Sequence, residues 1–137
     1  MNRKSCRFSQ FGFSLLEVLI ALVITAIGLM GFAVMMLNTL QNNRLAMERG
    51  IATFYAYEII DCMRANKVGL SNGNYTINFG ASPSGSSVAS SDLTLWKSEL
   101  AKLLPSGDGQ ISFSGSTVTV QIQWDGASQP WTTESTL

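Results

Sequence analysis

Glu17 is the single charge in residues 13–37, which read FSLLEVLIALVITAIGLMGFAVMML. A carboxylate in an apolar helix costs several kcal/mol unless it is neutralised or paired. The bland reading of Glu17 is a protonated or snorkelling acid near the end of a membrane span. The functional reading needs a cation. Hydrolysis of the Gly12–Phe13 peptide bond would create one, the α-amino group of Phe13. That amine lies four positions before Glu17, on the same helix face. It is either the chain's own or that of a neighbouring subunit. In the second case, satisfying the carboxylate drives assembly and fixes the axial stagger of the subunits.

The element that must position these groups is a helix. At 1.5 Å per residue, residues 13–37 make a rod of about 37 Å, enough to cross a hydrocarbon core of about 30 Å. Arg3, Lys4 and Arg7 precede it and predict a cytoplasmic N-terminus. An ordinary signal peptide is cut after its apolar region at a small-residue site. Here the chain continues NTLQNNRLAMERG, and the small residue stands before the apolar run, at Gly12. Cutting there removes the basic leader and keeps the helix. It also takes the nine basic residues to six, against nine acidic ones. The remaining chain shows no basic patch for nucleic acid. The sequence has no His, the commonest general base and metal ligand. Of its two cysteines, Cys6 lies in the leader, so Cys62 is left alone. We read Cys62 as a buried thiol on a helix.

GFSLLEVLIAL, residues 12–22, resembles the class III leader of type IV pilins and type II secretion pseudopilins. In that family a prepilin peptidase cuts after the Gly and N-methylates the new terminus, usually Phe. The Glu at the fifth mature position serves assembly. Gly12, Phe13 and Glu17 match all three positions. Two further stretches, IGLMGFA at 27–33 and CMRAN at 62–66, are similar to the PilV family of type IV pilus modification proteins, which are minor pilins. The resemblance covers roughly the first half of the chain. It implies a minor pilin that waits in the inner membrane, then joins other minor and major pilins to help initiate a pilus. Its partners would be those pilins, the prepilin peptidase and the inner-membrane assembly platform. Twitching motility and adhesion are family implications.

Gly28 and Gly31 each lower helix propensity by about 1 kcal/mol relative to Ala. They read either as small residues at a close helix crossing or as a point where the helix bends or melts in a filament. From Asn38 the pattern turns amphipathic. Leu40, Met47, Ile51, Tyr55, Ile59, Cys62 and Met63 recur at steps of three and four, with Glu48, Glu58, Asp61 and Arg64 on other faces. The spacing predicts one helix from about Phe13 to about Lys67, ended by Gly69 and Asn72-Gly73. Phe54, Tyr55 and Tyr57 read as core. Arg64 complements the helix dipole and Asn66 helps a C-terminal cap.

Tyr75, Ile77 and Phe79 alternate as a half-buried strand. GASPSGSSVASS, residues 80–91, reads as a loop. Asp92 then caps a short helix burying Leu93, Trp96, Leu100, Leu103 and Leu104, stopped by Pro105 and Gly107. Ile111 and Phe113, a turn at Gly115, and Val118, Val120, Ile122 and Trp124 form a hairpin. The tail is polar except for Trp131, which we expect to close the core. The expected fold is α+β and type IV pilin-like. A long N-terminal helix, transmembrane in its first half and amphipathic in its second, packs on a small antiparallel sheet. Residues 1–12 form the leader, 13–37 the membrane and filament-core helix, and 38–137 the extracytoplasmic head with its helix.

No phosphate-cradling loop, metal-ligand spacing or nucleophile with a base is present. Asp108-Gly109 and Asp125-Gly126 are turn signals first, with too few carboxylates for calcium. We expect no enzyme, no cofactor, no metal, no small-molecule substrate and no nucleic-acid partner. Two alternatives stand beside the minor pilin: an I-type minor pseudopilin of type II secretion, and a DNA-uptake minor pilin. The glycine step and the Met-Arg-Ala-Asn run argue against the first, the mature acidic balance against the second.

Overall fold

The computed structural model describes residues 12–137. Arg3, Lys4, Cys6 and Arg7 lie outside the described residues. The elements run α1 (Leu15–Ala65), α2 (Lys67–Ser71), α3 (Val88–Leu103), β1 (Asp108–Ser114), β2 (Thr117–Gln123) and β3 (Trp131–Thr136). Two compact units part between Asn42 and Asn43. The long apolar helix and the small three-stranded antiparallel sheet make an α+β, pilin-like architecture.

Ser14 starts α1. Its Oγ accepts from the Leu16 backbone N–H at 3.2 Å, and its carbonyl accepts from the Glu17 and Val18 N–H groups. A serine so placed satisfies donors that the first turn leaves without partners. Residues 15–42 are exposed throughout, and the most apolar 18-residue window of α1 has mean hydropathy 2.7. Thr25 and Thr39 turn their hydroxyls onto the carbonyls of Ala21 and Met35, at 2.7 and 2.9 Å. These internal bonds satisfy the hydroxyls on an otherwise apolar surface.

From residue 43 onward α1 has a core face that the spacing placed in part: Ile59 and Met63 are buried, and Ile51, Tyr55 and Cys62 pack against the core at its edge. Met47 is 69% exposed and Leu40 55%, while Glu48, Ala52, Ala56 and Ile60 are buried. The centre of the stripe lies about one position round the helix because Ala52 and Ala56 face the head there. Small side chains let the helix backbone approach the layer beneath it. The aromatic run divides accordingly. Tyr55 packs at the core edge, while Phe54 and Tyr57 are exposed.

Asn66 leaves helical geometry at φ −106°, ψ 70° and ends α1. It does not cap that helix's C-terminus. Its side chain instead accepts from Gly69 N–H at 3.1 Å and caps the N-terminus of α2. Gly69 lies inside α2, where a Cβ would collide with the Asn66 amide. Residues 75–79 keep the predicted alternation of burial but form no strand. Only Ile77 pairs, with Ile111. Turns at Gly73 (φ 71°) and Gly80 (φ 70°) leave room for one bridge between them.

Helix α3 begins earlier than expected, at Val88. Its cap is Ser87, accepting from Ser90 N–H, rather than Asp92, so the Gly/Ser-rich stretch supplies the helix start. Leu93, Trp96, Leu100 and Leu104 are buried as predicted, but Leu103 is 47% exposed at the end of the helix. The sheet order is β1-β2-β3, with Ser114 opposite Thr117 across the Gly115-Ser116 turn. Gly115 has φ 61°, the conformation that a two-residue hairpin loop asks of a first glycine. Asp108-Gly109 is no turn; both residues begin β1. The tail is not irregular either. Trp131–Thr136 forms β3, paired with β2 from Ile122↔Trp131 to Thr117↔Thr136. Trp131 packs against the core, as its apolar ring predicts. That core lies among α1, α3 and the inner residues Ile111, Val118, Val120 and Ile122.

Candidate functional site

Gly12 and Phe13 lie outside any regular element, and both are exposed, Phe13 at 83%. Their peptide bond precedes the cap at Ser14, so no helical hydrogen bond must break for a peptidase to draw it out. Glu17 falls in the first turn of α1, on exposed surface. The helix dipole favours a negative group there. Among the described residues, no hydrogen bond or ion pair reaches its carboxylate. The Ser14-x-x-Glu17 spacing is a helix-start signature that the sequence displays and that our reading passed over. Only its serine half is made, through Leu16 N–H; the Glu17 carboxylate does not close the capping box. Gly28 and Gly31 lie within unbroken helix, and a methyl group on either would meet nothing within 4 Å. No packing among the described residues requires them to be glycine.

Three polar clusters of the head, at Glu48, Tyr75 and Lys97, are structural in geometry. Glu48 is buried, with Arg44 Nε donating to Oε1 at 2.8 Å and Trp124 Nε1 donating to Oε2 at 2.9 Å. The Arg44 bond holds its carboxyl below the ordinary range; burial opposes, and the indole N–H helps. Sequence reasoning put Glu48 on the solvent face, because nothing local reveals that Trp124 returns to meet it. Tyr75 donates to Asp92 at 2.5 Å and accepts from Asn66 Nδ2 at 3.1 Å. Burial first, then the Asp92 bond, push its hydroxyl up to about 12. Lys97 bonds Asp108 at 2.9 Å and the carbonyls of Asn78 and Ala81, pinning the chain that leads into the 80–87 loop. Burial would raise the Asp108 carboxyl, but the Gly80 N–H, Lys97 and the Gly109 N–H together hold it low.

Arg64 bonds Asp61 at 3.1 Å and also reaches Ser135 Oγ at 2.9 Å, tying the end of α1 to β3. Cys62 is only half-buried, not enclosed as its helix position suggested. Burial and then the carboxylates of Asp92, Glu58 and Asp61 push its thiol up, which suppresses the reactive thiolate. Among the described residues, no group of three or more Cys, Asp or Glu converges as a metal site.

Residues 7–33 match the family described as the prokaryotic N-terminal methylation motif. Curated proteins give no match, and solved structures give none. The matched segment spans Gly12, Phe13, Glu17, Gly28 and Gly31. It supports a type IV pilin-like or pseudopilin substrate of a prepilin peptidase, carrying the class III leader. The apolar helix is consistent with membrane anchoring and with a place in a filament of such subunits.

Proposed function

We propose that this chain is a minor pilin of a type IV pilus, of the PilV kind, that helps other minor pilins to start pilus assembly. The observation that carries the reading is the methylation motif laid over an entirely exposed apolar helix. Such a surface needs either lipid or other helices around it. In the membrane the helix spans once, with its N-terminus cytoplasmic. Prepilin peptidase cuts between Gly12 and Phe13 and methylates Phe13. The new cationic amine then meets Glu17, its own or that of the neighbouring subunit, as the helix leaves lipid for the filament. Gly28 and Gly31, free of packing duties among the described residues, give the filament either a close crossing or a yielding point. The 27–33 and 62–66 stretches favour a pilus over a type II secretion assembly.

Mass spectrometry of the N-terminus, on protein recovered from sheared filaments, tests the reading. The expected terminus is N-methylated Phe13. Recovery solely as an uncut membrane protein would refute it. Deletion that abolishes secretion of exoproteins but leaves pili intact would turn the reading to the pseudopilin.

A further inference from the structure

The face of the head where α1 and α3 meet carries an apolar groove that nothing among the described residues fills. Its volume is about 200 Å³, and Tyr55, Glu58, Ile59, Cys62, Leu95 and Glu99 line it. Trp96 closes the floor and is fixed there by its Nε1, which donates to the Tyr55 carbonyl at 2.9 Å. Leu95 is 60% exposed on the rim. Past Glu58 and Cys62 the groove opens onto a second hollow bordered by Phe54, Tyr57 and Asp61. Phe54 stands edge-on to Tyr55, ring centroids 5.4 Å apart, so the aromatic surface is continuous between the two hollows.

The charge around this surface is one-sided. Glu58, Asp61, Asp92 and Glu99 border the two hollows. The neighbouring cations are already engaged: Lys102 with Glu99 at 2.7 Å, and Arg64 with Asp61 and Ser135. Glu58 has no ion-pair partner among the described residues. The raised Cys62 and Tyr55 groups report the same negative field, after burial, which is the larger cause for both. Aromatic faces beside carboxylates suit a planar cation with an apolar stem. Anionic lipid head groups would be repelled. A second copy has few free cations to offer. Of the six basic residues past residue 12, Arg44, Arg64, Lys97 and Lys102 are paired, and only Arg49 and Lys67 have no ion-pair partner among the described residues.

We propose that the α1–α3 groove docks an arginine-bearing segment of a different pilin-type subunit, its stem on Tyr55, Ile59 and Leu95 and its guanidinium among Glu58, Asp92 and Glu99. This rests on the assembly role proposed above and names the contact by which the head chooses its neighbour. Carboxylates at the rim steer and select partners more than they add raw affinity.

Phe54, exposed beside the groove, supplies the test. Benzoylphenylalanine incorporated at position 54, in cells making filaments from the full chain, is photolysed and the adducts are mapped by mass spectrometry. The expected adduct joins the position-54 peptide to an Arg-bearing peptide of another subunit that carries its own Gly-Phe leader. Its yield falls about tenfold in Glu58→Lys/Glu99→Lys. Glu58→Gln/Glu99→Gln keeps the side-chain shapes and is expected to fall about threefold, which separates lost charge from lost folding. Adducts on lipid, on a second copy or on an uncharged segment overturn the proposal, as does a yield indifferent to both double variants. The Phe13 terminus is read in the same samples. A chain that is uncut and absent from filaments defeats the assembly role itself. A cut, filament-borne chain with the wrong adduct defeats the groove alone.

Discussion

Replacing Trp124 with Phe isolates what the buried Glu48 carboxylate contributes to the head. The change removes the Nε1–H that reaches Glu48 Oε2 at 2.9 Å and leaves that oxygen without its donor. A hydrogen bond to a charged group contributes about 1.5–3 kcal/mol net. The smaller ring also leaves a void, which adds about 1 kcal/mol. The expected loss is therefore about 2.5–4 kcal/mol. For a domain of this size each kcal/mol moves Tm by about 4–8 °C, so a fall of at least about 10 °C is expected. Scanning calorimetry of the full chain in detergent micelles measures it. Arg44→Ala is the comparison. Its side chain is 69% exposed, so removing that partner should cost under about 1 kcal/mol. The sign with pH follows from the lowered carboxyl. A group held low in the folded state contributes stability that is present above its unfolded value and lost as pH falls through its folded value. The gap between wild type and Trp124→Phe should thus be full at pH 7 and shrink below about 4.5, the ordinary value for this group. A Tm within about 2 °C of wild type at pH 7, or a gap that persists unchanged to pH 3, refutes the reasoning.

Three other outcomes follow from the same geometry. Gly109→Ala places a methyl group against the Trp96 ring and should destabilise the head by about 1–3 kcal/mol, seen as loss of near-ultraviolet circular dichroism at a lower denaturant concentration. Tyr75 should ionise near 12 in an ultraviolet titration; a raised phenol contributes stability that is full below its unfolded value of about 10 and disappears as pH rises through about 12. Tyr75→Phe should flatten that alkaline loss. Glu17→Ala should leave the head's unfolding unchanged while lowering recovery in sheared filaments at least tenfold, measured by immunoblot against the membrane fraction; equal recovery would remove the acid from the assembly mechanism.

The apolar helix, the α3 core positions and the β1–β2 hairpin were legible because each carries a local period or turn residue. Residues 13–37 need no partner to be read, and Gly115 marks its own turn. What stayed hidden depended on segments distant in sequence. The core face of α1 was placed correctly at Ile59 and Met63 but one position off before them, because large residues were expected where Ala52 and Ala56 face inward. Phe54 and Tyr57 were assigned to the core on hydrophobicity alone. β3 was missed because Thr132, Thr133 and Thr136 read as a polar tail; their β propensity is expressed only when β2 offers an edge. Likewise Ser87 was lost in a serine-rich stretch, where several residues were equally fit to cap. The proposal of Gly12 and Phe13 as processing residues rests on spacing and the leader motif, and Ser14 beside them was not considered.

The bond between Trp124 and Glu48 joins positions 76 residues apart. Synthesis delivers the small-residue stripe of α1 long before the indole that covers its acid. Until the residue after β2 arrives, that stripe is an open, sticky ledge, and closing so long a loop is slow. Completion of the head is therefore timed by delivery of its last third, and a chain stalled short of it would be the form most prone to clump.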